Sequence, residues 1–123
     1  MNYIAKIVKG HGRGKLLGFP TYNLKIPADL EVSYGIYAGL VWIEGTMYPG
    51  AFHYGPVPTF QQTTPTLEVF VLDYAPIEDP QEITFSLVKL LREIQHFSTA
   101  KDLEKQIAAD VALVRQYAQE FAA

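Results

Sequence analysis

The spacing of apolar residues changes once along this chain, near residue 98, and that change restricts the fold more than any other feature. Leu103, Ile107, Val111, Val114, Ala118 and Phe121 are separated by 4, 4, 3, 4 and 3 positions, which lays them along one face of a helix. Thr99 and Asp102 resemble a capping box with Asp in place of the usual Glu or Gln, so the helix is expected over 100–121. Ahead of it the chain holds only short runs of strand formers, at 3–8, 35–43, 47–54, 67–74 and 82–90, broken by Gly and Pro. Glu44-Gly45 reads as the turn of a hairpin between the second and third runs, and Pro49-Gly50 marks the returning strand as bulged or at an edge. The glycine-rich stretch 10–19 and the proline-bearing stretch 55–66 are expected to be loops that move in the absence of ligand. A single amphipathic helix needs a partner, and the sheet is the one available. The expected architecture is therefore all-β with a C-terminal helix: a small antiparallel barrel with the helix lying on it.

At 123 residues and 49% apolar content the chain suits one domain with a real core, spanning 1–123, the barrel to about residue 97. The absence of cysteine removes disulfides, thiolate metal sites and cysteine nucleophiles. The apolar run 36–43 falls far short of the ~20 residues that cross a bilayer, and no signal segment is visible, so a cytoplasmic protein without membrane contact is expected. A net charge of −3 argues against a surface built to grip nucleic acid. The distribution of charge says more than its sum. Residues 1–25 carry five basic side chains and no acid, whereas 26–88 carry eight acids and no base. The basic region is also the glycine-rich one, a pairing that suits an anionic ligand, although a solvated turn would look the same.

Common nucleotide motifs do not fit. A dinucleotide fingerprint beginning at Gly10 needs glycine where Lys15 stands, and a P-loop ending in Gly14-Lys15 needs Ser or Thr where Leu16 stands. What remains is Gly10-x-Gly12-x-Gly14-Lys15-Leu16-Leu17-Gly18-Phe19-Pro20-Thr21-Tyr22-Asn23-Leu24. It is joined by Gly35-Ile36-Tyr37-Ala38, Tyr48-Pro49-Gly50, Pro58-Thr59-Phe60, Leu67-Glu68-Val69, Leu91-Arg92 and His96-Phe97-Ser98. Together these segments, from residue 4 to about 115, resemble the riboflavin kinase family.

The resemblance implies a six-stranded antiparallel Greek-key barrel with a C-terminal helix. It also implies transfer of the γ-phosphoryl group of ATP to the ribityl 5′-hydroxyl of riboflavin, giving FMN. ATP and riboflavin would be the partners, with Mg²⁺ (or Zn²⁺ or Mn²⁺) beside the nucleotide, on a monomeric protein. In many bacteria this domain follows an adenylyltransferase domain; the resemblance here is to the kinase part. Carried over residue by residue, it makes Glu68 the catalytic base and Thr21 and Asn23 the metal residues. Gly10, Gly12, Gly14, Lys15, Pro20, Val71 and Asp73 fall to ATP, and Arg92, Gln95 and Phe97 to the flavin.

These roles make chemical sense. Phosphoryl transfer needs positioning and charge neutralisation more than covalent chemistry. Glycines bring backbone N–H groups close to phosphate, and Lys15 adds a mobile positive charge. Thr21 and Asn23 offer neutral oxygens suited to a hard cation that keeps its waters, and Pro20 stiffens the chain before them. On residue type alone they also fit a capped turn. Alternation puts Glu68 on one face with Phe70 and Leu72, opposite Leu67, Val69 and Val71. A carboxylate there either faces solvent at an edge or has a task. His11 and His96 read as surface residues.

The pattern departs from the family at several margins. Tyr22 replaces a small alanine, His53 an asparagine, Pro80-Gln81 a Tyr-Gly pair that borders the adenine pocket, and Ile94 a glutamate; Gln95 replaces a common Lys or Arg. Two readings follow: a riboflavin kinase, favoured by joint retention of Thr21, Asn23 and Glu68, and a non-catalytic flavin- or nucleotide-binding regulatory relative, favoured by the altered margins.

Overall fold

The structure, a computed structural model, describes residues 1–8, 18–56 and 63–121. Six strands, β1 (Tyr3–Val8), β2 (Tyr22–Leu24), β3 (Gly35–Ile43), β4 (Thr46–Gly55), β5 (Thr66–Val71) and β6 (Glu82–Arg92), precede one helix, α1 (Ala100–Phe121). They close into an antiparallel barrel in the order β1-β2-β5-β4-β3-β6. The meander β3-β4-β5 is flanked by β2 beside β5 and by β6 beside β3, so two Greek keys share three strands.

The inner face is filled by alternate residues. Leu67, Val69 and Val71 from β5 meet Phe52, Val41, Phe85 and Ile83, all buried. Gly39 and Gly50 stand opposite one another across β3 and β4. A Cβ at Gly39 would lie 2.8 Å from Phe52 Cε1, and one at Gly50 2.9 Å from the same atom, so both glycines make room for that ring. A second, smaller cluster joins the outer face of the barrel to the helix. Ala38, Leu72 and Val114 are buried there, with Phe70, Leu91, Val111 and Tyr117 packed against them. The predicted stripe is the docked face: Leu103 and Val114 are buried, and Ile107, Val111 and Ala118 are half-buried. The helix starts as expected, with the Asp102 N–H donating to Thr99 Oγ1 at 3.1 Å.

Three boundaries differ from the sequence reading. β2 is three residues long and carries no pattern of its own; pairing with β1 and β5 makes it a strand. β5 ends at Val71, because the turn at Leu72 and Asp73 takes Asp73 to φ 59°, outside the strand region. β6 continues to Arg92, held against Ile36 of β3. Pro49 is a correction of another kind. The strand is paired on both sides in the closed barrel and is not bulged against β3, where Pro49 stands in regular register with Leu40. The Pro49 carbonyl, pointing away from β3, accepts the Leu72 N–H at 2.9 Å, just past the last β4–β5 pair, Gly50 with Val71. The missing N–H therefore faces a place where the ladder has already ended. The Glu44-Gly45 turn is as read, with both residues at positive φ (50° and 80°) as a tight hairpin requires. The expected mobile loops 10–19 and 55–66 fall largely outside the described residues.

Candidate active site

Strand register gathers the candidate residues on the outer face of the barrel. Asn23 of β2 stands directly opposite Glu68 of β5, and Glu68 directly opposite His53 of β4. Residues opposed in this way point to the same side of a sheet. Because Leu67 and Val69 fill the interior, Glu68 faces outward, half-buried. Asn23, Glu68 and His53 thus form one row across three strands.

The chain on either side covers this row. Phe19 packs edge-on against Phe70 at 5.5 Å, which lays the Pro20-Thr21 segment over the outer face of β5. Thr21 Oγ1 then lies 3.4 Å from Glu68 Oε1. Thr66 Oγ1 lies 3.3 Å from Glu68 Oε2 and 3.4 Å from the Gly55 carbonyl, dividing one proton between them. Both contacts to Glu68 exceed the usual 2.5–3.0 Å of a hydroxyl bond, so the carboxylate is loosely held. From the other side comes the segment after β6. Gly55, at φ 131°, has no room for a Cβ because Ile94 and Tyr34 fill the space. Ile94 is one of the departures from the family pattern, and its packing brings the 92–97 segment to the end of β4 beside His53.

His53 is half-buried, and its Nε2 lies 2.9 Å from the Gly55 carbonyl. A carbonyl only accepts, so Nε2 carries the proton. Burial pushes this imidazole below its ordinary range. The Gly55 carbonyl, the Glu68 charge and the Pro56 backbone pull it back up, while Arg92 pushes it further down. His53 thus stands in the field of both the candidate base and a candidate flavin residue.

Arg92 is the most constrained of the candidates. Its Nε lies 3.0 and 3.3 Å from the two Asp110 carboxylate oxygens and its Nη2 2.8 Å from Oδ2, a fork-to-carboxylate pair, while Nη1 donates to the Glu93 carbonyl at 3.1 Å. The guanidinium lies 5.8 Å from the centre of the Phe97 ring. Gln95 is exposed on the same segment. Asp110 was not singled out in the sequence, yet at 3% exposure it is the one buried charged residue among those described. The signal was present: position 110 falls on the docked face of α1, between Ile107 and Val114, where a carboxylate needs a partner.

Other candidates lie elsewhere. The Val71 side chain points into the core. Asp73 sits in the turn after β5, paired with Arg115 of α1 at 2.8 Å, and that contact holds its carboxyl below the usual range. It lies five positions along the chain from Glu68, at most about 17 Å. Gly10, Gly12, Gly14 and Lys15 lie outside the described residues. Tyr22 turns the opposite way from Asn23, packs edge-on with Tyr74, and donates to Asp79 at 2.7 Å. Burial and that hydrogen bond push its phenol well above the ordinary range.

Residues 1–118 match the Flavokinase family, described as riboflavin kinase. The bifunctional riboflavin kinase/FMN adenylyltransferase of Escherichia coli K12 is 32% identical over 113 residues, 91% of this chain and 36% of that protein. The corresponding Pseudomonas fluorescens protein is 32% identical over 92% of this chain and 37% of its own length. An RNA-binding riboflavin kinase of Bacillus subtilis is 31% identical over 88% of the chain and 47% of that protein. The chain therefore spans between a third and a half of these relatives. A crystal structure of a macrolide-efflux protein from Streptococcus pneumoniae superposes with a TM-score of 0.80 at 23% identity, covering 93% of this chain and 38% of that one, a likeness of fold. No helix among the described residues is long and apolar enough to cross a membrane. On the family match, the barrel with its single helix and the relatives together, this chain belongs to the riboflavin kinase family.

Proposed function

We propose that this chain is an ATP:riboflavin 5′-phosphotransferase acting as one unit over 1–123, with Glu68 as its general base. The observation that carries this reading is the row Asn23–Glu68–His53, with Thr21 against the Glu68 carboxylate. It puts a loosely held carboxylate beside two neutral oxygen donors on an accessible face. Glu68 takes the proton of the ribityl 5′-hydroxyl as that oxygen bonds to the γ-phosphorus and the bond to the ADP oxygen breaks; the products are FMN, ADP and a protonated Glu68.

The donor set fits a hard cation. Thr21 and Asn23 supply oxygen without charge, and no three of His, Cys, Asp and Glu gather into a metal cluster among the described residues. Thr21 and Asn23 would hold a Mg²⁺ that keeps several waters, and when bound it supplies charge neutralisation for the phosphates. Gly10, Gly12, Gly14, Lys15, Pro20 and the Val71–Asp73 turn are assigned to the nucleotide, and Arg92, Gln95 and Phe97 to the flavin. Incubation with riboflavin, ATP and Mg²⁺, followed by chromatography, should yield FMN. Absence of FMN with Mg²⁺, Zn²⁺ and Mn²⁺ alike, while riboflavin still binds, overturns the kinase reading and leaves the regulatory relative.

A further inference from the structure

Arg92 closes β6, and its guanidinium is tied down from two sides. Asp110 of α1 grips Nε and Nη2 at 2.8–3.3 Å, and the Glu93 carbonyl accepts from Nη1 at 3.1 Å. Asp110 is itself braced, since Gln106 one turn earlier donates to Oδ1 at 3.1 Å. The pair is nearly dry, with side-chain exposures of 17% for Arg92 and 5% for Asp110.

Such a pair is an inefficient way to dock a helix. Desolvating two charges offsets most of their attraction, and apolar residues of similar volume do the same work as well or better. The neighbouring positions already do it, with Leu103 buried and Val111 and Val114 packed in the cluster against the barrel. What the pair adds is orientation. Three of the five guanidinium N–H groups are drawn into fixed bonds, and the planar cation is held against the Phe97 ring.

We propose that Asp110 is the positioning residue of the flavin subsite: it fixes the plane of Arg92 over Phe97, so that a flat heterocycle with carbonyl oxygens meets a preset cation rather than a mobile one. This rests on the assignment of Arg92 and Phe97 to the flavin. Asp110 touches no substrate and acts through Arg92 alone; Gln106 shares the task.

Two variants test it, with riboflavin affinity read by fluorescence quenching, ATP affinity by calorimetry and melting temperature in parallel. Asp110→Asn should weaken riboflavin binding about tenfold, the scale of one lost charge-assisted hydrogen bond, and leave ATP affinity within about twofold. The double variant Arg92→Met/Asp110→Leu replaces the pair with apolar volume. Its melting temperature should match or exceed that of the wild type while riboflavin binding stays weak. If riboflavin affinity recovers together with melting temperature, the pair is a helix anchor and the proposal falls. It falls equally if Asp110→Asn binds riboflavin as the wild type does. A wild-type protein that binds no riboflavin overturns the proposed function itself, and this inference with it.

Discussion

His53 stands directly opposite Glu68 across the β4–β5 ladder, with its Nε2–H held by the Gly55 carbonyl at 2.9 Å. Burial is the main reason its folded-state proton affinity falls below the ordinary imidazole value of 6.5. The unfolded chain therefore takes up this proton first as pH falls. The stability His53 contributes is complete above about pH 6.5 and is lost progressively as pH drops from there through the lower folded-state value. His53→Asn removes this component. Melting temperature between pH 7.5 and 5 should fall less steeply in the variant than in the wild type; parallel curves would show that the imidazole does not titrate between the two states.

Glu68→Gln keeps the side-chain shape and an accepting oxygen but cannot take a proton. A general base contributes roughly 10²–10⁴-fold, so kcat should fall by about that factor. Riboflavin and ATP affinities should change little, and melting temperature by no more than a degree or two, because the contacts to Thr21 and Thr66 are long. A twofold change in kcat would make Glu68 an outward-facing strand residue and no more.

Asn23→Ala separates metal holding from turn capping. If the amide oxygen helps hold the cation beside the phosphates, ATP affinity should drop in Mg²⁺ and be unchanged in EDTA. Titration of wild type and variant under both conditions reads this directly. Equal affinities in Mg²⁺ would favour the turn.

At the β3–β4 hairpin, Glu44 adopts φ 50° ahead of Gly45 at φ 80°. A glutamate is strained there, whereas Asn-Gly is the favoured pair for such a turn. Glu44→Asn should raise stability by up to about 1 kcal/mol in urea unfolding, with no effect on catalysis at the far end of β4. No gain would mean that the turn relaxes without cost.

The legible parts of the sequence were those whose signal is local. The stripe from Leu103 to Ala118 and the runs that became β1, β3 and β4 depend on residue spacing alone, and they survive in the structure. β2 is not readable from its residues, because three positions hold no period; the neighbours that pair with it are distant in the chain, Val8 15 positions before Asn23 and Glu68 45 positions after it. The site shows the same division. Thr21, Asn23 and Glu68 could be named from motifs, but their convergence is a property of register, which the sequence does not print. Asp110 stands out in the sequence only as an acid on the apolar stripe of the helix; its partner, Arg92, lies 18 positions earlier and is identified by the fold.

The barrel is joined between β1 and β5 by the shortest of its strands. Among the described residues, two positions of β2 pair with β1 and three with β5. Amide protons there should exchange with solvent sooner than those of β3 and β4, whose ladder runs nine pairs. The same seam carries Asn23 and adjoins Thr21. Nucleotide and cation bound to those residues would add links across the weakest join in the wall, so ligand should slow exchange at Tyr22–Leu24 more than anywhere else in the sheet. Binding energy would then appear partly as closure of a local opening, and the apparent affinity would rise with any change that keeps the seam shut.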